Sequence, residues 1–312
     1  MNKIDTGLLK MLMQNSRIPV TQLAKHLKVS REVATYRINK LKKDRIIQDF
    51  VTEINIKKLG FVSAAVFVTV KATRQQEFKK FITETHFVSW VAELSGVWSF
   101  GFSIIGRNNE ELDEKFIQIY SPFKDAIIDH RFTLHKKSWF FYEKYLGHIS
   151  ESITRQKSKE YCADHKDKTI LQEIAKNSRK DNVALSRKVS LTAPAVAQRI
   201  KRLKASGYIE KYSLFLDISR LGLFQYSIFT INKNIEEKQK LVQYLMQHKN
   251  VSFLALYIGD QFMEFGLFVK DPYQLREKLQ EIEEAFPHNR VIETSLFHQE
   301  FVSIGPPTCV FE

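Results

Sequence analysis

The sequence predicts an α+β protein in which one two-domain unit is written twice. Three observations support this prediction: an internal repeat, a set of three short helical patterns that opens each copy, and alternating strand and helix patterns in the rest of each copy. The repeat has an offset of 162 residues, so that Asn15-Ser16-Arg17 returns as Asn177-Ser178-Arg179. Positions 4–60 align with 166–222 without a gap and share 14 of 57 residues, which indicates a tandem duplication.

The composition is typical of a globular protein and excludes several classes. Of the 312 residues, 44% are hydrophobic and 27% are charged, which argues against general disorder. The longest apolar run, at 61–70, has about half the length of a membrane-spanning helix. No secretory signal follows Met1, and the two cysteines, Cys162 and Cys309, form no Cys-x-x-Cys motif. We therefore expect a cytoplasmic protein without a disulfide framework, a metal site or a cofactor.

The opening segment of each copy has a tight turn between its second and third helical patterns. In the first copy the third helix is expected over 31–44, with Ser30 at its N-cap and an apolar stripe that starts at Ala34. A strand or wing is expected at 46–56. This order is that of a winged helix-turn-helix, whose third helix enters the DNA major groove. The second copy repeats it with Thr192 as the N-cap, Val196, Ile200 and Leu203 in the stripe, and Gly207 after the helix.

The distribution of charge indicates what these helices bind. The chain has a net charge of +13, which alone would suit nucleic acid, an anionic membrane surface or an acidic protein. Residues 1–61 and residues 166–222 each contain 13 basic and 5 acidic residues, so each segment carries +8 and the rest of the chain −3. A helical packing domain with a solvated basic face is the alternative, but two separate basic modules favour double-stranded DNA as the partner.

The second segment of each copy predicts strands and helices in the order βαββαβ. This is the ferredoxin-like arrangement, in which two helices cover one face of a four-stranded antiparallel sheet. Apolar residues such as Phe100, Phe102, Ile104 and Ile105 crowd the strands, so the other face must also be buried, and the other copy is the obvious partner. The expected domains are helix-turn-helix domains at 1–61 and 165–223, ferredoxin-like domains at 62–147 and 224–312, and a linker at 148–164.

This order of elements resembles the Lrp/AsnC (feast/famine) family of transcriptional regulators, in which the second domain is called the RAM domain. The resemblance rests on Asp5, Asn15, Arg17, Leu23-Ala24, the segment 30–37, Leu41, Ile47 and Leu59-Gly60, with their equivalents 162 residues later. It implies that the two RAM sheets pack face to face, so that one chain forms an intramolecular pseudo-dimer that could associate further. It also implies a sequence-specific, nucleoid-associated DNA-binding regulator and not an enzyme.

The two helix-turn-helix domains, called the first and the second reading head below, offer different side chains to DNA. The expected base-reading residues are Arg31, Glu32, Thr35, Tyr36 and Lys40 in the first head and Gln198 and Lys201 in the second. The expected phosphate contacts are Lys42, Lys43, Arg45, Arg202 and Lys204. Because Ala193, Pro194 and Ala197 supply no polar side chain, we expect the first head to contribute more to sequence specificity and the second more to anchoring.

Two pairs of arginines need separate assignments. Arg17 and Arg179 end the first helix of each copy, where we expect structural ion pairs with Asp5 and Asp167 rather than DNA contacts. Arg37 and Arg199 border the apolar stripe of the third helix, and the sequence allows a structural or a DNA-binding role for them.

The resemblance also implies where an effector would bind. Family members often bind an amino acid near a glycine turn between the second and third RAM strands, with a Gly-x-aromatic-Asp pattern. The turns here contain Gly96 and Trp98 in the first copy and Gly259 and Asp260 in the second, and neither has the acid at the expected place. We therefore expect either a different small-molecule effector at these residues or none.

Siroheme decarboxylases resemble the same two-module fold and supply the alternative, a tetrapyrrole enzyme. Its chemistry would use His130, His135 or His298, on strands expected to face the sheet interface. His135 and His298 are counterparts in one register of the last strand, whereas aligning Thr133 with Thr294 breaks that correspondence. A single histidine on a strand is more often structural, and a decarboxylase has no need of two basic helices. The sequence therefore favours the regulator.

Overall fold

The computed structural model describes residues 1–147, 161–259, 262–302 and 306–311. The first copy contains α1 (Lys3–Gln14), α2 (Val20–Leu27), α3 (Arg31–Lys43), β1 (Ile47–Ile54), β2 (Val62–Val70), α4 (Gln75–Glu84), β3 (Val88–Ser95), β4 (Phe100–Gly106), α5 (Asn109–Tyr120) and β5 (Ile127–Phe140). The second contains α6 (His165–Lys176), α7 (Asn182–Val189), α8 (Ala193–Ala205), β6 (Ile209–Leu216), β7 (Phe224–Asn232), α9 (Ile235–Gln247), β8 (Val251–Tyr257), β9 (Phe262–Val269), α10 (Pro272–Ala285) and β10 (Asn289–Val302).

The chain forms two compact units, and each unit contains one module from both copies. The first unit comprises Met1–Phe61, Glu151–Asp217 and Ile304–Glu312. The second unit comprises Val62–Ser150 and Ile218–Ser303. The duplication is therefore used twice, once to pair the helix-turn-helix modules and once to pair the ferredoxin-like modules.

In the first unit the two helix-turn-helix modules are joined through a two-stranded sheet. The strand that follows the third helix of each copy pairs with its counterpart, so that β1 and β6 are antiparallel, with Val51 opposite Ser213. Helix α1 packs on β6 and α6 packs on β1, so each first helix contacts the strand of the other copy. Two equivalent hydrogen bonds fix this crossing: the amide of Ser16 donates to the carbonyl of Tyr212, and the amide of Ser178 donates to the carbonyl of Phe50.

The second residue after the third helix adopts a left-handed backbone in both copies, but only the second copy has glycine there. Gly207 has φ = +75°, whereas its counterpart Arg45 has φ = +55°. This conformation costs a residue with a Cβ about 1–2 kcal/mol, while glycine loses part of that advantage through its greater freedom in the unfolded chain.

We expect Arg45→Gly to raise the free energy of unfolding by about 0.5–1 kcal/mol, and the matched change Gly207→Ala to lower it by about 1 kcal/mol. Thermal unfolding followed by circular dichroism, without DNA, measures both effects. A lower melting temperature for Arg45→Gly would contradict the expectation.

In the second unit the strands of both copies close into one antiparallel ring. Its order is β10-β3-β4-β2-β5-β8-β9-β7, so each copy keeps the strand order of a ferredoxin-like sheet and the two sheets join at both edges. The long last strands make these joints. The first half of β5 pairs with β2 and its second half with β8, and β10 divides in the same way between β7 and β3.

The inner faces of the two sheets meet inside this ring, while α4, α5, α9 and α10 pack on the outside. The ring of Phe67 contacts the ring of Phe229 edge-to-face, with 4.9 Å between their centroids. Face-to-face packing alone was the expectation from the sequence; the hydrogen bonds at both edges are an additional feature. They form because β5 and β10 each have 14 residues, enough to extend past the partner strand of their own copy.

The interior also contains polar side chains from the second copy. Glu264 on β9 is buried and accepts hydrogen bonds from Ser227 and Tyr257. Burial raises the pKa of this carboxyl to about 7.

Among the helices that the structure describes, none is long and apolar enough to cross a membrane.

Candidate nucleic-acid interface

Helix α3 presents a polar face because its apolar residues are used in the core. Ser30 caps the helix by accepting a hydrogen bond from the amide of Val33, and Ala34, Ile38 and Leu41 are buried. The opposite side is exposed, including all five predicted base-reading residues: Arg31, Glu32, Thr35, Tyr36 and Lys40. Tyr36 is 62% exposed, and a large aromatic ring left in water on a basic helix is suited to contact a ligand surface.

Two of these five residues have roles within the helix itself. The hydroxyl of Thr35 donates to the carbonyl of Arg31 at 2.8 Å. Glu32 accepts a hydrogen bond from its own backbone amide and another from Ser30, and these, in that order of size, lower the pKa of its carboxyl. The residue therefore places a negative charge in the first turn of the helix. Arg31, Tyr36 and Lys40 are therefore the stronger candidates for base contacts.

One neighbouring residue was missed from the sequence. Val33 lies on the same N-terminal part of α3 and is 40% exposed. An apolar side chain there can contact the methyl group of thymine. The periodicity gave no signal for it, because a single valine outside the stripe is ordinary in a helix.

Helix α8 is capped and packed in the same way as α3, but it presents fewer polar side chains. Thr192 caps it by accepting from the amide of Ala195, and Pro194 lies in its first turn. Gln198 and Lys201 are exposed as predicted. At an offset of 162, Lys201 corresponds to Asn39 and Lys40 corresponds to Arg202, so the two predicted base-reading lysines are not counterparts.

The five predicted phosphate-contacting residues are all exposed at the C-terminal part of the third helices or just after it: Lys42, Lys43, Arg45, Arg202 and Lys204. Three of them lie over aromatic rings. Lys42 is 5.7 Å from the ring centroid of Phe50, Arg202 is 5.1 Å from that of Tyr161, and Lys204 is 5.7 Å from that of Tyr212. These contacts restrict the side chains and leave the charges at the surface.

Arg17 and Arg179 connect the two copies. Arg17 donates to the carbonyls of Ser178 and Lys180 at 2.5 and 3.0 Å and to the side chain of Asn182 at 3.1 Å. Arg179 donates to the carbonyls of Ser16 and Ile18 at 2.6 and 3.2 Å. Burial lowers the pKa of both guanidinium groups. The structural role expected for them agrees with these contacts, but the expected ion-pair partners are wrong.

Asp5 and Asp167 pair instead with the arginines that border the third-helix stripe. Arg37 lies 3.7 Å from Asp5. Arg199 contacts Asp167 at 2.9 Å and Asp164 at 2.7 Å, and these hydrogen bonds raise its pKa. The carbonyl partners of Arg17 could not be predicted from the sequence, because every residue has a backbone carbonyl and the residue types therefore do not show which ones accept. The aspartates therefore looked like the better partners.

The glycine turn of the first copy is closely packed. A Cβ on Gly96 would lie 2.7 Å from the carbonyl oxygen of Thr294. Trp98 is buried and its indole nitrogen donates to Glu293 at 2.9 Å. In the second copy Gly259 is exposed, while Asp260 lies outside the described residues.

The three histidines considered for an enzyme do not gather in one place. His130 is exposed and lies against Phe116 and Tyr120 of the outer helix α5, and His298 is exposed. Only His135 is partly buried, 3.2 Å from the hydroxyl of Ser63. Strands β5 and β10 match at an offset of 162, so His135 corresponds to Phe297 and not to His298, which decides between the two registers that the sequence left open. Within the described ranges no cluster of side chains is suited to bind a metal ion.

Solved structures of a siroheme decarboxylase resemble almost the whole chain. The siroheme decarboxylase NirDL, in complex with an iron-uroporphyrin III analogue, covers 97% of this chain and 94% of its own, with a TM-score of 0.64 and 14% identity. At this identity the likeness shows a shared fold.

The sequence comparisons identify regulators. A model described as winged helix-turn-helix DNA-binding matches residues 1–48 and 164–210. An uncharacterised HTH-type transcriptional regulator of Pyrococcus furiosus is 30% identical over 147 residues, 95% of that protein and 46% of this chain. The HTH-type transcriptional regulator LrpC of Bacillus subtilis is 27% identical over 128 residues, 88% of that protein and 41% of this chain. The two relatives each match over about the length of one copy, and the chain belongs to the Lrp/AsnC family of HTH-type transcriptional regulators.

Proposed function

We propose that the protein is a sequence-specific DNA-binding transcriptional regulator whose two copies form an intramolecular pseudo-dimer with two unequal reading heads. The observation that carries this proposal is the exposure of both third helices, each on a module with a net charge of +8. Apolar residues hold these helices in the first unit, so their polar faces are available to double-stranded DNA.

The inequality of the heads is proposed from their first two turns. Arg31 and Tyr36 of α3 can make polar contacts with base edges, whereas the corresponding residues of α8 are Ala193 and Gln198. Both helices keep basic residues towards their C-terminal ends, which suit phosphate contacts. The first head would therefore contribute more to specificity and the second more to affinity.

The salt dependence of binding tests the DNA function. Duplexes selected from a random pool by the full-length protein should lose about 10³–10⁵-fold in affinity between 50 and 200 mM salt if six to ten phosphates are contacted. Lys43→Ala and Lys204→Ala should each reduce the slope of log K against log salt by about 1. Lys80→Ala, on the exposed face of α4, is the control and should leave the slope unchanged. Absent or salt-independent binding would overturn the proposal.

The siroheme decarboxylase alternative is supported by the shared architecture over 97% of the chain. We propose that the chain is not an enzyme of this type, since the three candidate histidines lie apart and a decarboxylase needs no basic third helices. Incubation with siroheme followed by an absorbance scan separates the two functions. A stoichiometric bound chromophore, with no selective DNA binding, would favour the enzyme.

Further properties belong to the same proposal. We propose association with the nucleoid, domain boundaries as expected from the sequence, and self-association beyond the pseudo-dimer through the ferredoxin-like modules. An effector at Gly96, Trp98, Gly259 and Asp260 stays a prediction. The close packing of Gly96 and Trp98 favours the second copy as the place to search for one.

A further inference from the structure

Two contacts in the closed sheet join a residue of the first copy to its own counterpart in the second. Arg131 contacts Glu293 and Phe67 contacts Phe229, and in both cases the two positions differ by 162. A residue that touches its own counterpart lies at the pseudo-twofold axis that relates the copies. Such positions are special because a pairing of two identical modules would bring together two identical side chains.

At the first of these positions the two side chains have opposite charge. The guanidinium of Arg131 donates two hydrogen bonds to the carboxylate of Glu293, at 2.7 and 2.5 Å. Trp98 donates a third hydrogen bond to Glu293. The guanidinium lies 4.9 Å from the ring centroid of Phe262 and 5.1 Å from that of Trp98. The pair is only partly exposed, with side-chain exposures of 28% and 13%.

A pairing of two identical modules would remove this complementarity. Two first copies would place Arg131 against Arg131 among aromatic rings, and two second copies would place Glu293 against Glu293. The second copy adds another carboxylate, that of Glu264, which lies opposite Phe229 on the neighbouring strand. In the first copy the residue opposite Phe67 is Gly101, which has no side chain. Like charges in a partly desolvated interior are costly, whereas a bidentate arginine–carboxylate pair is favourable.

We propose that Arg131 and Glu293 make the two ferredoxin-like modules obligate partners of each other, so that a first copy pairs with a second copy and neither kind pairs with itself. The surface is the inner face and edges of each four-stranded sheet, and its matching partner is the other copy, from the same chain or from a second chain. The selection acts by rejecting the identical module as well as by attracting the complementary one. This inference is independent of DNA binding.

Charge reversal in the full-length chain tests the pair. Arg131→Glu and Glu293→Arg each place like charges at the axis and should lower the melting temperature of the second unit by several degrees. The double variant Arg131→Glu/Glu293→Arg restores opposite charges in reversed order and should recover most of that loss. Tryptophan fluorescence follows this unit, because Trp90, Trp98 and Trp139 all lie in it.

Exchange between chains tests the selectivity. Arg131→Glu and Glu293→Arg chains with different affinity tags are produced together. If first and second copies exchange partners, both new pairs are of opposite charge, so the two chains should co-purify about tenfold better than either variant with itself, a ratio equivalent to 1.4 kcal/mol.

A matched pair of variants provides the control. Lys79 and Glu93 form an ion pair at 2.9 Å, but both belong to the first copy. Exchange of copies cannot repair Lys79→Glu or Glu93→Lys, so a mixture of these chains should show no excess co-purification. The proposal is overturned if the Arg131/Glu293 mixture behaves like this control, or if the double variant is no more stable than the single ones.

Discussion

Replacing Arg31 and Tyr36 by alanine will reduce sequence discrimination more than replacing Gln198 and Lys201. The first pair removes a guanidinium and a phenol from the exposed N-terminal half of α3. The second pair removes an amide and an ammonium from α8, whose first turn already lacks polar side chains. A bidentate contact with a base is worth about 1–3 kcal/mol, so we expect a roughly 10- to 100-fold smaller preference for the selected site over a mismatched one.

The comparison is matched in charge, and in position at one of the two residues. Each double variant loses one positive charge, and Tyr36 and Gln198 are counterparts in the two copies. Non-specific affinity should therefore fall by a similar factor in both, which isolates specificity from electrostatics. Dissociation constants measured for the selected and mismatched duplexes at one salt concentration provide the ratio. Equal losses of discrimination in the two variants would refute unequal heads.

Removing Arg17 will destabilise the first unit without affecting the second. Its guanidinium satisfies two backbone carbonyls and one side-chain amide of the other copy. An unpaired buried acceptor costs about 1–3 kcal/mol, so Arg17→Ala should lower the free energy of unfolding by roughly 2–4 kcal/mol. Arg179→Ala should act in the same direction through Ser16 and Ile18.

The three tryptophans make this prediction easy to measure. Because they all lie in the second unit, the thermal transition seen by tryptophan fluorescence should have the same midpoint as in the unmodified protein. Far-ultraviolet circular dichroism, which also reports on the first unit, should show a transition at lower temperature. Arg187→Ala removes an exposed arginine from α7 and is the control, with an expected change within about 0.5 kcal/mol. An unchanged dichroism transition for Arg17→Ala would contradict a role in joining the copies.

Periodicity predicted the elements of the fold because one face of each is buried. The stripe that begins at Ala34 placed α3 correctly, and the run from Phe100 to Ile105 indicated a strand covered on both sides. The closure of the sheet could not be predicted in this way. It depends on how far β5 extends past β2 before it meets β8, and backbone hydrogen bonds leave no trace in side-chain pattern.

The candidate site was predictable where it depends on exposure. A basic residue off the apolar stripe must face water, so the surface positions of Lys43 and Lys204 followed from spacing alone. Partner choice was not predictable. Asp5 lies close to Arg37. Arg17 and Arg179 do not end their first helices as expected but lie three residues beyond Gln14 and Lys176, where each reaches backbone carbonyls of the other copy.

The closed sheet has a consequence for how the protein is made. Strands β3 and β5 end the sheet of the first copy, and their outer partners β10 and β8 are encoded in the second. At about 5–20 residues per second, the 162 residues between the ends of β5 and β10 take on the order of 10 to 30 s to translate. The edge at β5 is open to pairing with strands of neighbouring nascent chains until β8 emerges, and the edge at β3 stays open until β10 emerges. Production of this protein should therefore be most sensitive to chaperones, and to crowding of ribosomes on its message, before the last strand emerges.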